Sequence, residues 1–242
     1  MEIIDEIYEK LENYSTGEDY QPLKVEMEVI PPLYLTSQWL HLDSLLNYLC
    51  TRDALGELFY VMPTDEVVDT SFLDLPLKKT ADVYHASVGQ LKNARLYKDT
   101  IYKRFTDKEA YKLSDKARKG RVKTNQGHFK DFIINLPLII TDRITFYCCA
   151  DKKELERLLP HLSHIGKKTS IGGGRIRNIN IYDEEEDYSF FKDGELMRTI
   201  PVSLKIPLFE GVSIQRQPYK PPYWDKKNVE MCYTPQPQIK VN

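Results

Sequence analysis

Apolar residues recur along this chain with two periods. Ile3, Ile4, Ile7, Tyr8, Leu11 and Tyr14 fall at helical spacing with acids and Lys10 opposite, which predicts an amphipathic helix over residues 2–14 that docks on this domain or on a neighbour. Residues 15–21 are polar and read as a linker. The period drops to two at LKVEMEVI, residues 23–30, a half-buried strand that Pro31-Pro32 ends. Leu42, Leu45, Leu46 and Leu49 restore the helical period over 41–55. His41 and Asp43 lie at that helix's start, where a carboxylate favours the helix dipole. Residues 58–62 read as a short strand and 63–80 as irregular.

Further on, VYHASVGQL at 83–91 sets the small Ala86 and Ser87 beside Tyr84 and His85, a composition that admits a close neighbour. The chain is apolar over 129–140 and again over 144–150, with Thr141-Asp142-Arg143 between, which predicts a hairpin. Asp151 suits a helix N-cap, Leu155, Leu158, Leu159 and Leu162 form the buried stripe, and 175–182 is a strand. The resulting order is β-α-β-β-α-β, an α+β chain on the ferredoxin-like (RRM-like) plan. The acidic run DEEED at 183–187 reads as a solvated loop, because consecutive carboxylates do not converge. From Ser213 the prolines at 218, 221, 222, 235 and 237 predict an extended tail that packs through Tyr219, Tyr223 and Trp224. Three parts follow: an N-terminal helix and linker (1–21), one α+β body (22–212) and the tail (213–242).

A length of 242 residues suits one elaborated domain, and 41% hydrophobic with 29% charged residues is a globular composition. No apolar run approaches the roughly 20 residues of a membrane span. The start, MEIIDEIYEK, is acidic and lacks a signal-peptide pattern, so no membrane contact and a cytoplasmic location are expected. Cys50, Cys148, Cys149 and Cys232 show no CxxC spacing and read as buried free thiols, with no metal and no cofactor.

Charge changes the picture most. The net charge is −2, yet residues 92–123 hold twelve Lys or Arg against four acids. Tyr97, Tyr102, Phe105 and Tyr111 are interleaved there, and few aliphatic residues mark a buried face. The segment reads as a solvated basic insertion over 92–127, with a helix over 107–119 as one form it could take. Lys103, Arg104, Arg118, Lys119, Arg121 and Lys123 are its candidate phosphate contacts.

A second cationic stretch is IGKKTSIGGGRIRNINI, residues 165–181, with four glycines and four cations between a helical and a strand pattern. Gly166, Gly172, Gly173 and Gly174 allow positive φ or close backbone approach. Lys167, Lys168, Arg175, Thr169, Ser170 and unpaired backbone N–H groups can then meet phosphate oxygens. A plain turn closing a helix before a strand fits the same residues. A Walker loop or dinucleotide fingerprint does not, since here the helix precedes the glycines and the strand follows them.

LHLDSLLNYL, VYHASVGQL, YKRF, HIGKKTSIGGGRI and KPPYW, in that order, resemble the type IV CRISPR effector subunit related to the group-five members of the RAMP superfamily. The resemblance spans about residues 23–235. It implies a RAMP fold and a non-catalytic subunit that caps the 5′ handle of a guide RNA (crRNA). Backbone subunits and a large subunit would be its neighbours, and target DNA would be met only through the complex. It also implies RNA contacts at Gly166, Lys167, Lys168, Gly172, Gly173, Gly174 and Arg175. Where RAMP loops commonly carry Phe or Tyr between two glycines, this chain has Gly173, which removes a stacking ring.

The competing expectation is a metal-independent endoribonuclease that processes precursor guide RNA. Such cleavage needs a base near the 2′-OH and a cation near the developing charge. His85 and His128 are its catalytic candidates, with His161 and His164 one helical turn apart ahead of the glycines. No His has an evident acid and cation beside it in the primary sequence, which favours binding without cleavage.

Overall fold

The computed structural model describes residues 3–35, 37, 39–63, 67–106, 108–109, 112, 123–205 and 212–237. In chain order these form α1 (Ile3–Glu12), β1 (Tyr20–Ile30), β2 (Leu33–Tyr34), α2 (Leu42–Leu55), β3 (Lys79–Thr80), β4 (Val83–Tyr84), β5 (Gln90–Leu91) and β6 (Arg95–Lys103). Then come β7 (Phe132–Ile140), β8 (Arg143–Asp151), α3 (Lys152–Leu158), β9 (Arg175–Asp183), β10 (Phe191–Lys192), β11 (Glu195–Leu196), β12 (Ile200–Pro201), β13 (Ser213–Pro218) and β14 (Val229–Thr234). The fold is mixed α/β, with several antiparallel sheets and few helices.

The alternation read in β1 sets the main sheet. Leu23, Val25, Met27 and Val29 are buried on one face, and Lys24, Glu26 and Glu28 lie on the other. β1 pairs antiparallel with β8 on one side and β9 on the other, and β5 closes the far edge of β8, giving the order β5-β8-β1-β9. Beside β5 the chain follows β8 through the bridge Ala86↔Cys148 and the Ser87 N–H donated to the Tyr147 carbonyl. The small residues there do admit a close neighbour.

The helices enter the same core. Leu42, Leu46, Leu49 and Leu55 of α2, Leu155 and Leu158 of α3, and Ile7 and Leu11 of α1 pack with the apolar face of β1. The N-terminal helix therefore docks on its own body. Asp151 caps α3 by accepting the Lys153 and Glu154 N–H groups, as its position predicts. All four cysteines are free and buried, and burial pushes the Cys50 thiol up to about 12.

Four sequence expectations need correction. Residues 58–61 lie in a 3-10 helix, Gly56–Val61, with Met62 just past its end, because Gly56 at φ 55 ends α2 and the chain keeps coiling. The hairpin of 129–140 with 144–150 does not form: β7 pairs with β6 from Arg95↔Ile140 to Lys103↔Phe132, and with β2 through Leu33↔Ile139. Thr141 and Asp142 make a corner instead, held by the Thr141 hydroxyl on the Lys92 and Arg143 carbonyls and by the Val29 N–H on the Asp142 carbonyl. An apolar run states that it pairs, not with what. The basic insertion is thus one strand of a ribbon that runs on to Ile140; Lys108, Glu109 and Lys112 have helical backbone, and the other residues of 107–119 lie outside the described residues.

The tail is the fourth correction. β13 and β14 form an antiparallel pair that β12 joins on the β14 side, so the segment is extended as expected but paired into a small sheet. Tyr219 is buried and Tyr223 donates to Asp43 on α2, whereas Trp224 stays 62% exposed. Pro218 ends β13, Pro221 and Pro222 lie in the connection to β14, and Pro235 and Pro237 follow β14, which leaves the ladder N–H groups between them free to pair.

Candidate nucleic-acid interface

The glycine loop runs from the end of the α3 region to β9, and its backbone is tied to residues 32–34. The Lys167 N–H donates to the Tyr34 carbonyl (2.8 Å), the Gly174 N–H to the Pro32 carbonyl (2.8 Å) and the Gly173 N–H to the Lys168 carbonyl (3.0 Å). Ile171 and Gly172 N–H groups close turns onto Lys168 and Thr169. The N–H groups of Lys167, Ile171, Gly172, Gly173 and Gly174 are therefore used within the fold. Lys167, Thr169, Ser170 and Arg175 are exposed and Lys168 is half-buried.

The four glycines have different reasons to be glycine. Gly166, Gly172 and Gly174 have φ of 78, 89 and 63. Gly173 has no positive φ. A Cβ there would stand 2.8 Å from both the Lys167 carbonyl oxygen and the Tyr34 ring, so it is glycine to let Tyr34 in. Gly173 and Gly174 are buried and shape the loop from beneath, while Gly166 and Gly172 face outward. A Cβ on Gly174 would also overlap the Ile165 carbonyl, whereas one on Gly172 meets nothing within 4 Å. We therefore expect Gly172→Ala to cost about 1–2 kcal/mol from left-handed backbone alone. Gly174→Ala should cost about 1–3 kcal/mol more from overpacking, a difference that urea unfolding of the two variants would show.

Tyr34, which the sequence did not single out, joins the loop to the ribbon. Its carbonyl holds Lys167, its ring packs on Gly173, and its hydroxyl donates to Asp99 of β6 (2.8 Å). The two cationic stretches are thus parts of one structure. On the ribbon Arg95, Tyr97, Lys98, Tyr102 and Arg104 are exposed, and Lys103 lies with its ammonium 4.7 Å from the Phe105 ring centre. Lys123 is exposed; Tyr111, Arg118, Lys119 and Arg121 lie outside the described residues. Beside the loop, His161, His164, Tyr48 and Arg52 line a cavity of about 340 Å³ with Gly166 and Thr169.

The open face of the main sheet is less suited to RNA. Glu26 and Glu28 stand on it, Glu26 takes Lys24 (3.6 Å) and Arg143 (3.5 Å), and Lys192 covers the Tyr147 and Tyr188 rings. Acids among capped aromatics repel phosphate and deny bases a stacking platform.

His85 is where sequence reading missed a partner. Its Nδ1 lies 2.6 Å from Asp187 Oδ2 and its Nε2 2.7 Å from Thr80 Oγ1, and the ring stacks on Phe190. The acid comes from the DEEED run, 102 residues away. That run is not simply solvated: Asp187 is half-buried, and although burial raises its carboxyl, bonds from His85 and Ser189 outweigh this and hold it below the ordinary range. His85 is 9% exposed and both ring nitrogens are engaged. The side chain of His128 lies outside the described residues. Among the described residues no three His, Cys, Asp or Glu converge as metal ligands, and no helix is long and apolar enough to cross a membrane.

Compared with known proteins, the chain matches over residues 21–235 the family described as CRISPR type IV associated protein Csf3. No curated protein matches it.

Proposed function

The chain belongs to the CRISPR type IV associated Csf3 family and is thereby a type IV CRISPR-associated component; from that premise we propose that it binds guide RNA, capping the 5′ handle and contacting a backbone subunit. The observation that carries this reading is the junction at Tyr34, where Lys167 and the glycine loop meet the basic ribbon. Cations there neutralise phosphate and position the strand. The sheet order β5-β8-β1-β9, with α2 and α3 as crossovers, supports a ferredoxin-like RAMP body interrupted by the ribbon. A large subunit and target DNA would be met within the assembled cytoplasmic complex.

Purifying the chain with its co-expressed partners and sequencing the retained RNA tests the reading. A defined small RNA with a common 5′ end is expected. Lys167→Ala, Lys168→Ala and Arg175→Ala combined should weaken its capture and flatten the salt dependence by about 0.7 in slope for each cation that meets a phosphate. A mixture of cellular RNA, or unchanged capture by that variant, would overturn it.

The His85–Asp187 pair favours a second reading, metal-independent cleavage of precursor guide RNA. Against it, a general base needs a nitrogen within reach of the 2′-OH, and Thr80 and Asp187 occupy both. Incubating the protein with repeat RNA in EDTA should leave the RNA intact. Specific cuts lost in His85→Ala would put the nuclease first.

A further inference from the structure

A cavity of about 560 Å³ opens where Ser37 and residues 39–44 meet β13 and Tyr223. Trp39, His41, Ser44, Gln215, Gln217 and Tyr223 line it, and among the described residues none that lines it is charged. Trp39 and His41 are 7% and 9% exposed, yet Trp39 Nε1 and His41 Nδ1 have no hydrogen-bond partner among the described residues. Buried polar atoms left unpaired are costly and call for an explanation.

The His41 ring is held in place by its neighbours. His41 stacks on Tyr223 at 4.0 Å between ring centres, and the Tyr223 hydroxyl is fixed on Asp43 at 2.9 Å. Burial first, and the Arg198 charge second, push the His41 imidazole down to about 3. It is neutral at pH 7, with one donor and one acceptor; Trp39 adds a donor, and the two glutamines offer both kinds. Without a cation among the described lining residues, phosphate finds no charged partner here. A flat heteroaromatic ring with donors and acceptors along its edge finds hydrogen-bonding ones.

We propose that this cavity receives an unpaired nucleobase of the bound RNA, held at its edge by Trp39, His41 and Gln217. The inference rests on the guide-RNA reading above and names a contact that reading does not contain. Trp39 follows Tyr34 by five residues, a reach of at most about 18 Å. On α2, Ser44 lines this cavity and its neighbour Leu45 lines the one beside the glycine loop. A strand gripped by phosphate at the loop has a base within range of the cavity, and splayed bases are what single-stranded RNA offers for edge recognition.

The chain has two tryptophans, so Trp224→Phe, at a 62% exposed position, leaves Trp39 as the only indole reporter. The full chain with that change is titrated with a short oligouridylate or oligoadenylate and with the abasic ribose-phosphate oligomer of equal length. Base-bearing RNA should shift or quench Trp39 emission and bind more tightly than the abasic oligomer. The further change Trp39→Phe should weaken base-bearing RNA about three- to tenfold, the loss of one hydrogen bond, while abasic affinity and the salt slope stay put. If RNA binds with Trp39 emission unmoved and bases add nothing, the cavity is not a base site although the RNA reading stands. If neither oligomer nor the guide RNA binds the parent protein, both readings fall.

Discussion

Asp43→Ala should lower the unfolding free energy by about 3–5 kcal/mol, the cost of stranding one member of a buried ion pair. Arg198 is fully buried, and its guanidinium donates to the carbonyls of Tyr84, Ala86, Thr199 and Tyr219 and to Asp43 Oδ2 at 3.3 Å. The carboxylate also accepts the Tyr223 hydroxyl at 2.9 and 3.0 Å. One pair therefore fastens α2, the edge segment beside β8 and the C-terminal sheet together. Urea unfolding measures it, and a loss below about 1 kcal/mol would show that the Arg198 charge is compensated without Asp43.

Arg198→Met should differ in its pH dependence. Burial pushes the Asp43 carboxyl up, while Arg198 and Tyr223 pull it back. Without the guanidinium it rises further above its unfolded value. A folded carboxyl with a raised pKa keeps a proton that the unfolded chain releases, so stability falls as pH climbs from the unfolded value of about 3.9 to the folded one. The deficit of the variant against the parent should be largest near pH 7 and narrow toward pH 4. A deficit independent of pH would mean that Asp43 does not titrate in that window.

How much of this was legible in the sequence depended on range. The periods of β1, α2 and α3, the Asp151 cap and the close approach at Ala86 and Ser87 are properties of neighbouring residues and were readable. Partner choice was not: 132–140 carries the same apolar signal whether it pairs with 95–103 or with 143–151, and only the corner at Thr141 and Asp142 decides. Of the two reasons the glycines offer, positive φ or close approach, Gly173 has the second, against the Lys167 carbonyl and the Tyr34 ring; the ring lies 139 positions earlier, and no local pattern points to it. No local pattern joins His85 to Asp187, which lie 102 residues apart. Arg198 carries one faint signal, a cation close to the apolar Leu196, Met197 and Ile200, a place where a charge needs a buried partner.

Replacing Lys103, Arg104, Arg118 and Lys119 together with Ala should weaken RNA binding and flatten the slope of log affinity against log salt. Each cation that meets a phosphate on a single strand contributes about 0.7, so four would remove about 2.8. Lys103 and Arg104 stand at the far end of the β6–β7 ribbon; Arg118 and Lys119 lie outside the described residues. There Tyr102 and Ile133, cross-strand neighbours, are 73% and 74% exposed. A two-stranded ribbon is marginal in water by itself, and bare apolar pairs at its tip gain most from being covered. Base stacking on Tyr102 would be worth about 1–3 kcal/mol. Tyr102→Ala should accordingly weaken binding with the slope intact, since it removes no charge, whereas the quadruple variant should change both. Filter binding over a range of salt separates the two effects. Affinity and slope left unchanged by both variants would take the ribbon off the RNA path, and the strand would then follow Lys167, Lys168 and Arg175 at the glycine loop alone.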